Sequence, residues 1–167
     1  PDVIISAYGL RIIPKTVLQI TSKQFNMHPS FLPDYKGRMI IPWVILNGET
    51  SHGITYHAMT ENIDVGDILY QTKFTIPEKI TAIELYALTV KQFELTFDMF
   101  FKQLCEGKIQ PTKMLPGGRY FQKDLPYDGK IDPNWNNEYA ERFIRAMNFP
   151  PHKQALFNYN NNWVECN

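Results

Sequence analysis

Residues 3–8, VIISAY, form an almost wholly apolar run, the pattern of an interior strand of a parallel sheet that is buried on both faces. Such a strand needs neighbours on either side, and the first element of a domain is seldom so buried. An N-terminal portion carrying further strands is therefore expected to precede it. Pro14 stands where a helix begins, and KTVLQIT after it has apolar residues at helical spacing. A short strand over Lys23 to Met27 leads into a loop that holds Pro29, Pro33 and Gly37, so the loop should be stiff and sharply turned. Ile40 to Leu46 reads as a core helix, with Pro42 in its first turn and Gly48 past its end.

Further along, HGITYHAMT (52–60) and DILYQTKFTI (67–76) alternate with period two and predict a pair of strands around the turn DVGD. Thr81 caps a long helix that runs to about Glu106 and stops at Gly107, with Ile83, Leu85, Leu88, Phe93, Phe97 and Phe101 on its buried side. After Pro116-Gly117-Gly118 the chain turns polar, Pro-rich and aromatic-studded. One helix, Asn137 to Met147, follows before Pro150-Pro151, and LFNYNNNWVECN ends the chain as a strand or hairpin. Strand-loop-helix units of this kind predict an α/β class, with a core over residues 1–115 and an irregular extension over 116–167 that wraps it.

Composition narrows the function. The 167 residues are 44% hydrophobic and 14% aromatic, a folded globular composition. Lys plus Arg and Asp plus Glu balance at 17 each, so the chain has no basic field of the kind that drives nucleic-acid binding. Two distant cysteines, Cys105 and Cys166, have no metal-ligand spacing and suit a reducing compartment. No apolar run approaches the length of a membrane span and no signal-peptide pattern is present, so a cytoplasmic location without membrane association is expected.

Three residues carry the candidate chemistry. When an amine attacks an acyl carbon, a tetrahedral intermediate forms with an oxyanion and a surplus proton on nitrogen, so a catalyst needs a hydrogen-bond donor and a proton acceptor. Asn26 can supply the donor. His28, two residues on along an extended strand, faces the same side and can take the proton. Asp64, thirty-eight positions after Asn26, can orient or charge the imidazole. On these residues alone a turn-forming role is the commoner one, since Asn-x-His at a strand end and Asp before Gly are more often turn chemistry than an active site. A metal site from His28, His52, His57 and Asp67 is the weakest alternative, because His52 and His57 have opposite parity on one strand.

Residues 26–67, NMHPSFLPDYKGRMIIPWVILNGETSHGITYHAMTENIDVGD, resemble the signature of folate-dependent formyltransferases. That family's pattern runs Asn-x-His-x-Ser-x-Leu-Pro, then a Gly and a Pro, then Gly-Glu with Gly-x-Thr, then Asp-x-Gly, and each element is present here in order. The resemblance implies a Rossmann-like core with a central mostly parallel sheet. It also implies that Asn26, His28 and Asp64 are the catalytic triad, acting without a covalent nucleophile. SAYGLRIIP at 6–14 resembles the family's pteridine-binding loop, which implies folate contacts at Leu10, Arg11, Ile12 and Ile13. Glu61, Asn62 and Ile63 match the second loop of that pocket. A cis peptide at Leu32-Pro33 is implied as well.

GKIDPNWNNEYAERFIRAMNFPP (129–151) is similar to the segment that follows the core in methionyl-tRNA and sugar N-formyltransferases. The transfer RNA enzymes carry a further basic domain after it, whereas sixteen residues follow Pro151 here, and the glycinamide ribonucleotide enzymes lack the segment. The sugar branch is thus the expected one, and Trp43 resembles it too. The implied donor is N10-formyltetrahydrofolate and the implied acceptor a nucleotide-linked 4-amino-4,6-dideoxy sugar, small molecules without a nucleic-acid partner. Bacterial surface polysaccharide, lipopolysaccharide included, is the usual destination of such sugars. The sugar branch tends to dimerise through its C-terminal region, and LFNYNNNWVEC can supply such an edge. A formyltetrahydrofolate hydrolase, another folate-dependent formyltransferase and a non-catalytic folate-binding fragment are the alternatives.

Overall fold

A four-stranded sheet in the order β1-β2-β4-β5 forms the frame, with β1 at Ile4–Ala7, β2 at Gln24–His28, β4 at Ser51–Ala58 and β5 at Ile68–Thr75. These coordinates come from a computed structural model that describes residues 1–9 and 11–166. β1 pairs with β2 in parallel, and β2 with β4 and β4 with β5 pair antiparallel. The helices are α1 (Lys15–Leu18), α2 (Ile40–Leu46), α3 (Ala82–Cys105) and α4 (Asn137–Met147). β3 (Lys36–Gly37) pairs in parallel with β6 (Tyr120–Phe121), and β7 (Leu156–Tyr159) forms a hairpin with β8 (Asn162–Glu165). The α/β expectation holds, and α2, α4 and the two long strands fall where the sequence pattern places them.

β1 borders β2 in this sheet. Among the described residues it pairs with β2 alone, and its side chains alternate between half-buried and exposed, with Ile5 42% exposed.

Parity along β2 explains how the sheet presents its chemistry. Phe25 is fully buried and Met27 packs beside it against the aromatic ladder of α3, so Asn26 and His28 project from the opposite face. Within that ladder Tyr56 stacks on Phe100 at 4.2 Å between ring centres, and Phe25 meets Phe100 edge-on at 4.9 Å. The α3 stripe runs through Ala82, Leu85, Thr89, Phe93 and Phe100. Ile83, expected on the buried side, lies off that stripe and is 37% exposed, while Phe97 and Phe101 are half-buried and stack on each other at 5.6 Å. The helix start is well defined: the backbone N–H and the hydroxyl of Thr81 both donate to the Glu84 carboxylate, at 2.8 and 2.6 Å.

A second core joins α2 to α4 and the start of α3 through Val44, Leu46, Leu85, Phe143 and Met147. The extension's aromatic residues serve this core. Phe121 stacks on Tyr35 at 5.3 Å, and Trp135 packs against Tyr127, Tyr139 and Phe143. Both cysteines are free thiols, and no helix among the described residues is long and apolar enough to cross a membrane.

Between β4 and β5 the DVGD turn folds so tightly that a Cβ on Gly66 would overlap the Ala58 carbonyl oxygen and crowd the Thr60 methyl at 3.2 Å. The backbone on both sides is hydrogen-bonded, with Ala58 N–H donating to Asp67 O at 2.8 Å, so the clash has little room to relax. Gly66→Ala is expected to lower stability by about 1–3 kcal/mol, the usual cost of overpacking, read as a lower denaturant midpoint with an unchanged slope.

Candidate active site

Three pieces of chain converge on one carboxylate. Asp64, at the tip of the β4-β5 turn, adopts a left-handed backbone conformation (φ 52°) and is only 6% exposed. Its Oδ2 accepts the Gly37 backbone N–H at 2.8 Å and lies 3.5 Å from His28 Nδ1, while Oδ1 lies 3.4 Å from His57 Nε2. The other nitrogen of His28, Nε2, sits 2.8 Å from Tyr35 O, a contact that places a proton on Nε2 and leaves Nδ1 bare in the neutral ring. Asn26 completes the cluster, its Nδ2 standing 3.2 Å from His57 Nε2.

The loop that presents Tyr35 and Gly37 is fixed by buried hydrogen bonds to one threonine. Thr55 Oγ1 donates to Ser30 O at 2.7 Å and accepts from Leu32 N–H at 3.1 Å and from Gln71 Nε2 at 3.3 Å. Ser30 Oγ donates to Asp34 O at 2.6 Å, and the Leu32-Pro33 peptide is cis, as the family resemblance implies. Thr55 pairs with His28 across the two strands, so the residue that clamps the loop sits beside the residue the loop must meet.

Burial lowers the His28 pKa below the ordinary histidine value, with the His57 ring adding to the effect and the Asp64 carboxylate and Tyr35 carbonyl opposing it. Burial alone would raise Asp64. The His57 and His28 rings and the Gly37 N–H outweigh it and hold the carboxyl below its usual range. The resting pair is an ionised Asp64 beside a neutral His28 with a bare nitrogen facing the carboxylate. An acquired proton would be stabilised there.

Asn26, His28 and Asp64 line a cavity of about 650 Å3, a size typical of small-molecule sites. Arg11, Ile12, Ile13, Glu61, Asn62 and Ile63 line the same cavity, so the structure brings these expected folate contacts to the triad. Leu10, the remaining one, lies outside the described residues. The two loops are tied by Lys15 Nζ and Glu61 Oε1 at 2.6 Å, an exposed pair of small energetic weight. Arg38, Lys123, Tyr120 and Ile83 also face the cavity. Their places follow from the β3-β6 pairing and from the off-stripe position at the start of α3, and no short sequence pattern marks either.

His57 is the residue that the sequence reading left outside the triad. The β2-β4 register sets it directly opposite Asn26, and it is 3% exposed. Its odd parity, shared with Thr55, was the available signal. His52, with even parity, lines a separate cavity of about 290 Å3. The four residues weighed as metal ligands are thereby divided, and among the described residues no group of three His, Cys, Asp or Glu side chains is placed to hold a metal ion.

The family described as formyl transferase matches residues 1–96, a span that contains this entire cluster. The chain belongs to the formyl transferase family. One relative of this formyl transferase chain is the GDP-perosamine N-formyltransferase of Brucella melitensis biotype 1, 38% identical over 157 residues that cover 93% of the chain and 60% of the relative. The N-formyltransferase of Helicobacter canadensis, solved with folinic acid and dTDP-3-aminofucose, superposes with a TM-score of 0.84 at 28% identity, covering 96% of this chain and 59% of that one. The sugar 3N-formyl transferase WlaRD, solved with dTDP and 5-N-formyl-THF, gives 0.84 at 27% identity over 97% of this chain and 59% of its own. These matches agree with the Rossmann-like formyltransferase fold and with the sugar branch of the family. The chain spans about 60% of the length of the first of these relatives.

His52 supplies a test of the buried polar layer. Burial pushes its pKa from 6.5 down to about 4, so the folded chain keeps it neutral where the unfolded chain takes up a proton. Stability should therefore fall as pH drops through the window from 6.5 to about 4, by about 2–3 kcal/mol at pH 4.5. Urea unfolding at pH 7 and 4.5 should show this loss in the native protein and a smaller loss in His52→Phe.

Proposed function

We propose that this chain forms the catalytic centre of an enzyme that transfers a formyl group from N10-formyltetrahydrofolate to an amine on a nucleotide-linked sugar. The acceptor is a 4-amino-4,6-dideoxy sugar. One observation carries the reading: an amide, a neutral imidazole and an ionised carboxylate meet at the wall of a single cavity. Family membership and the folates and nucleotide sugars named with the related structures support it.

The sugar amine attacks the formyl carbon, and a carbon–nitrogen bond forms while the carbonyl electrons move to oxygen. An Asn26 Nδ2–H donates to that oxyanion. The attacking nitrogen, now carrying a surplus proton, loses it to His28 Nδ1, where Asp64 Oδ2 at 3.5 Å stabilises the resulting imidazolium. The bond from N10 to the formyl carbon breaks as the carbonyl reforms, and N10 takes the proton that His28 had accepted, which returns the imidazole to its neutral form. The products are a formamide and tetrahydrofolate. The water-poor setting of His28 and Asp64, both at least 94% buried from solvent by area, strengthens the charge interaction at the moment it is needed.

Arg38 and Lys123 on the cavity wall suit the phosphates of a nucleotide acceptor, while Ile12, Ile13 and Ile63, with Arg11 beside them, suit the pteridine of the donor. The relatives differ in nucleotide and in amino position. An amine on a nucleotide-linked sugar is the chemistry they share, and the 4-amino position is our assignment.

The purified protein should release tetrahydrofolate from N10-formyltetrahydrofolate only when an amino sugar nucleotide is present. His28→Ala and Asp64→Ala should each lower kcat by about 100-fold or more, the usual worth of positioned acid-base and electrostatic groups. Formate released without any amine would instead identify a hydrolase, and unchanged turnover in His28→Ala would remove the mechanism.

A further inference from the structure

We propose that His57 is a positioning residue that fixes the Asn26 amide with one N–H aimed at the reacting formyl oxygen. The inference rests on the formyl-transfer reading above. An asparagine amide has two nearly isosteric ends, and only the nitrogen end can donate to an oxyanion, so a mechanism that uses Asn26 needs something to select the end.

The structure contains such a selector. His57 Nδ1 lies 2.9 Å from its neighbour's carbonyl, Ala58 O, which commits a proton to Nδ1 and leaves Nε2 as an acceptor in the neutral ring. That bare Nε2 lies 3.2 Å from Asn26 Nδ2, and His57 is the partner of this amide among the described residues. The contact spans directly opposed positions of β2 and β4. One amide hydrogen is used by His57, and the second remains for the cavity that both residues line. Turning the amide about would set its oxygen against Nε2 and against a developing negative charge, and both contacts would repel.

Asp64 stands beside the selector. Its Oδ1 is 3.4 Å from the same His57 nitrogen, and its Oδ2 faces His28. A proton on Nε2 would donate to Asp64 Oδ1 and require Asn26 to present its oxygen, so the neutral Nδ1–H form of His57 is the one that leaves the amide competent. The ring cannot tilt freely, because it is 3% exposed and held at both nitrogens. His57 touches neither reacting atom in this scheme and acts through Asn26.

A double-mutant cycle separates this role from general structural support. His57→Leu should lower kcat by about 10- to 100-fold, a fraction of what removing an oxyanion donor costs, with the KM for the formyl donor within about threefold of the native value. His57→Gln, whose side-chain oxygen can accept where Nε2 did, should recover kcat to within about fivefold of native. Asn26→Ala combined with His57→Leu should be no slower than Asn26→Ala alone, because His57 has no amide left to position. His57→Asn is polar but too short to reach the amide, so it should be as slow as His57→Leu and stands in for it should the leucine variant not fold. Native kcat in His57→Leu or His57→Asn, or losses that multiply in the double variant, would overturn the inference while leaving the triad reading intact. Native kcat in Asn26→Ala would overturn the triad reading itself.

Discussion

A carboxylate that is 6% exposed can stay ionised only where the surrounding chain compensates it, and in this protein that requirement organises the site. Asp64 accepts the Gly37 N–H from the loop after β2, and the rings of His28, at the end of β2, and His57, on β4, stand 3.5 and 3.4 Å from its oxygens. None of these is near Asp64 by helix or turn geometry alone. The sheet register, the rigid Pro-rich loop and the tight DVGD turn must all form before the charge is satisfied, so folding and assembly of the site are one event.

Each of those supports traces to particular residues. The loop is tied down by Thr55, which bonds to Ser30, Leu32 and Gln71 at once. β2 is seated by Phe25 against Tyr56 and Phe100, which leaves its even-numbered side chains for the cavity. The turn depends on Gly66, where no side chain fits against Ala58. The extension contributes through Phe121, stacked on the Tyr35 whose carbonyl fixes the His28 tautomer. Aromatic packing remote from the reaction thus sets which imidazole nitrogen is available for it.

Much of this was legible in the sequence. α4 was readable over Asn137–Met147 because Pro150-Pro151 ends the pattern soon after, and in the structure Asn136 caps it, accepting from Tyr139 N–H at 2.8 Å. α2 and the β4-β5 pair were readable from their patterns, and the grouping of Asn26, His28 and Asp64 from the motif that flanks them. Ile83 was misplaced because a single apolar residue beside a broad helical stripe carries no phase of its own. His57 was missed for a different reason: its importance lies in a cross-strand register that places it opposite Asn26, and register is a property of two strands that neither one states alone.

The central claim is electrostatic: Asp64 is ionised and His28 rests neutral with its bare nitrogen, Nδ1, turned toward that carboxylate. The imidazole 15N chemical shifts of His28, measured by NMR on selectively labelled protein at pH 7, test it directly. The account predicts one protonated nitrogen, Nε2, and one bare nitrogen, Nδ1. A doubly protonated ring, or a neutral ring with its proton on Nδ1, would contradict it.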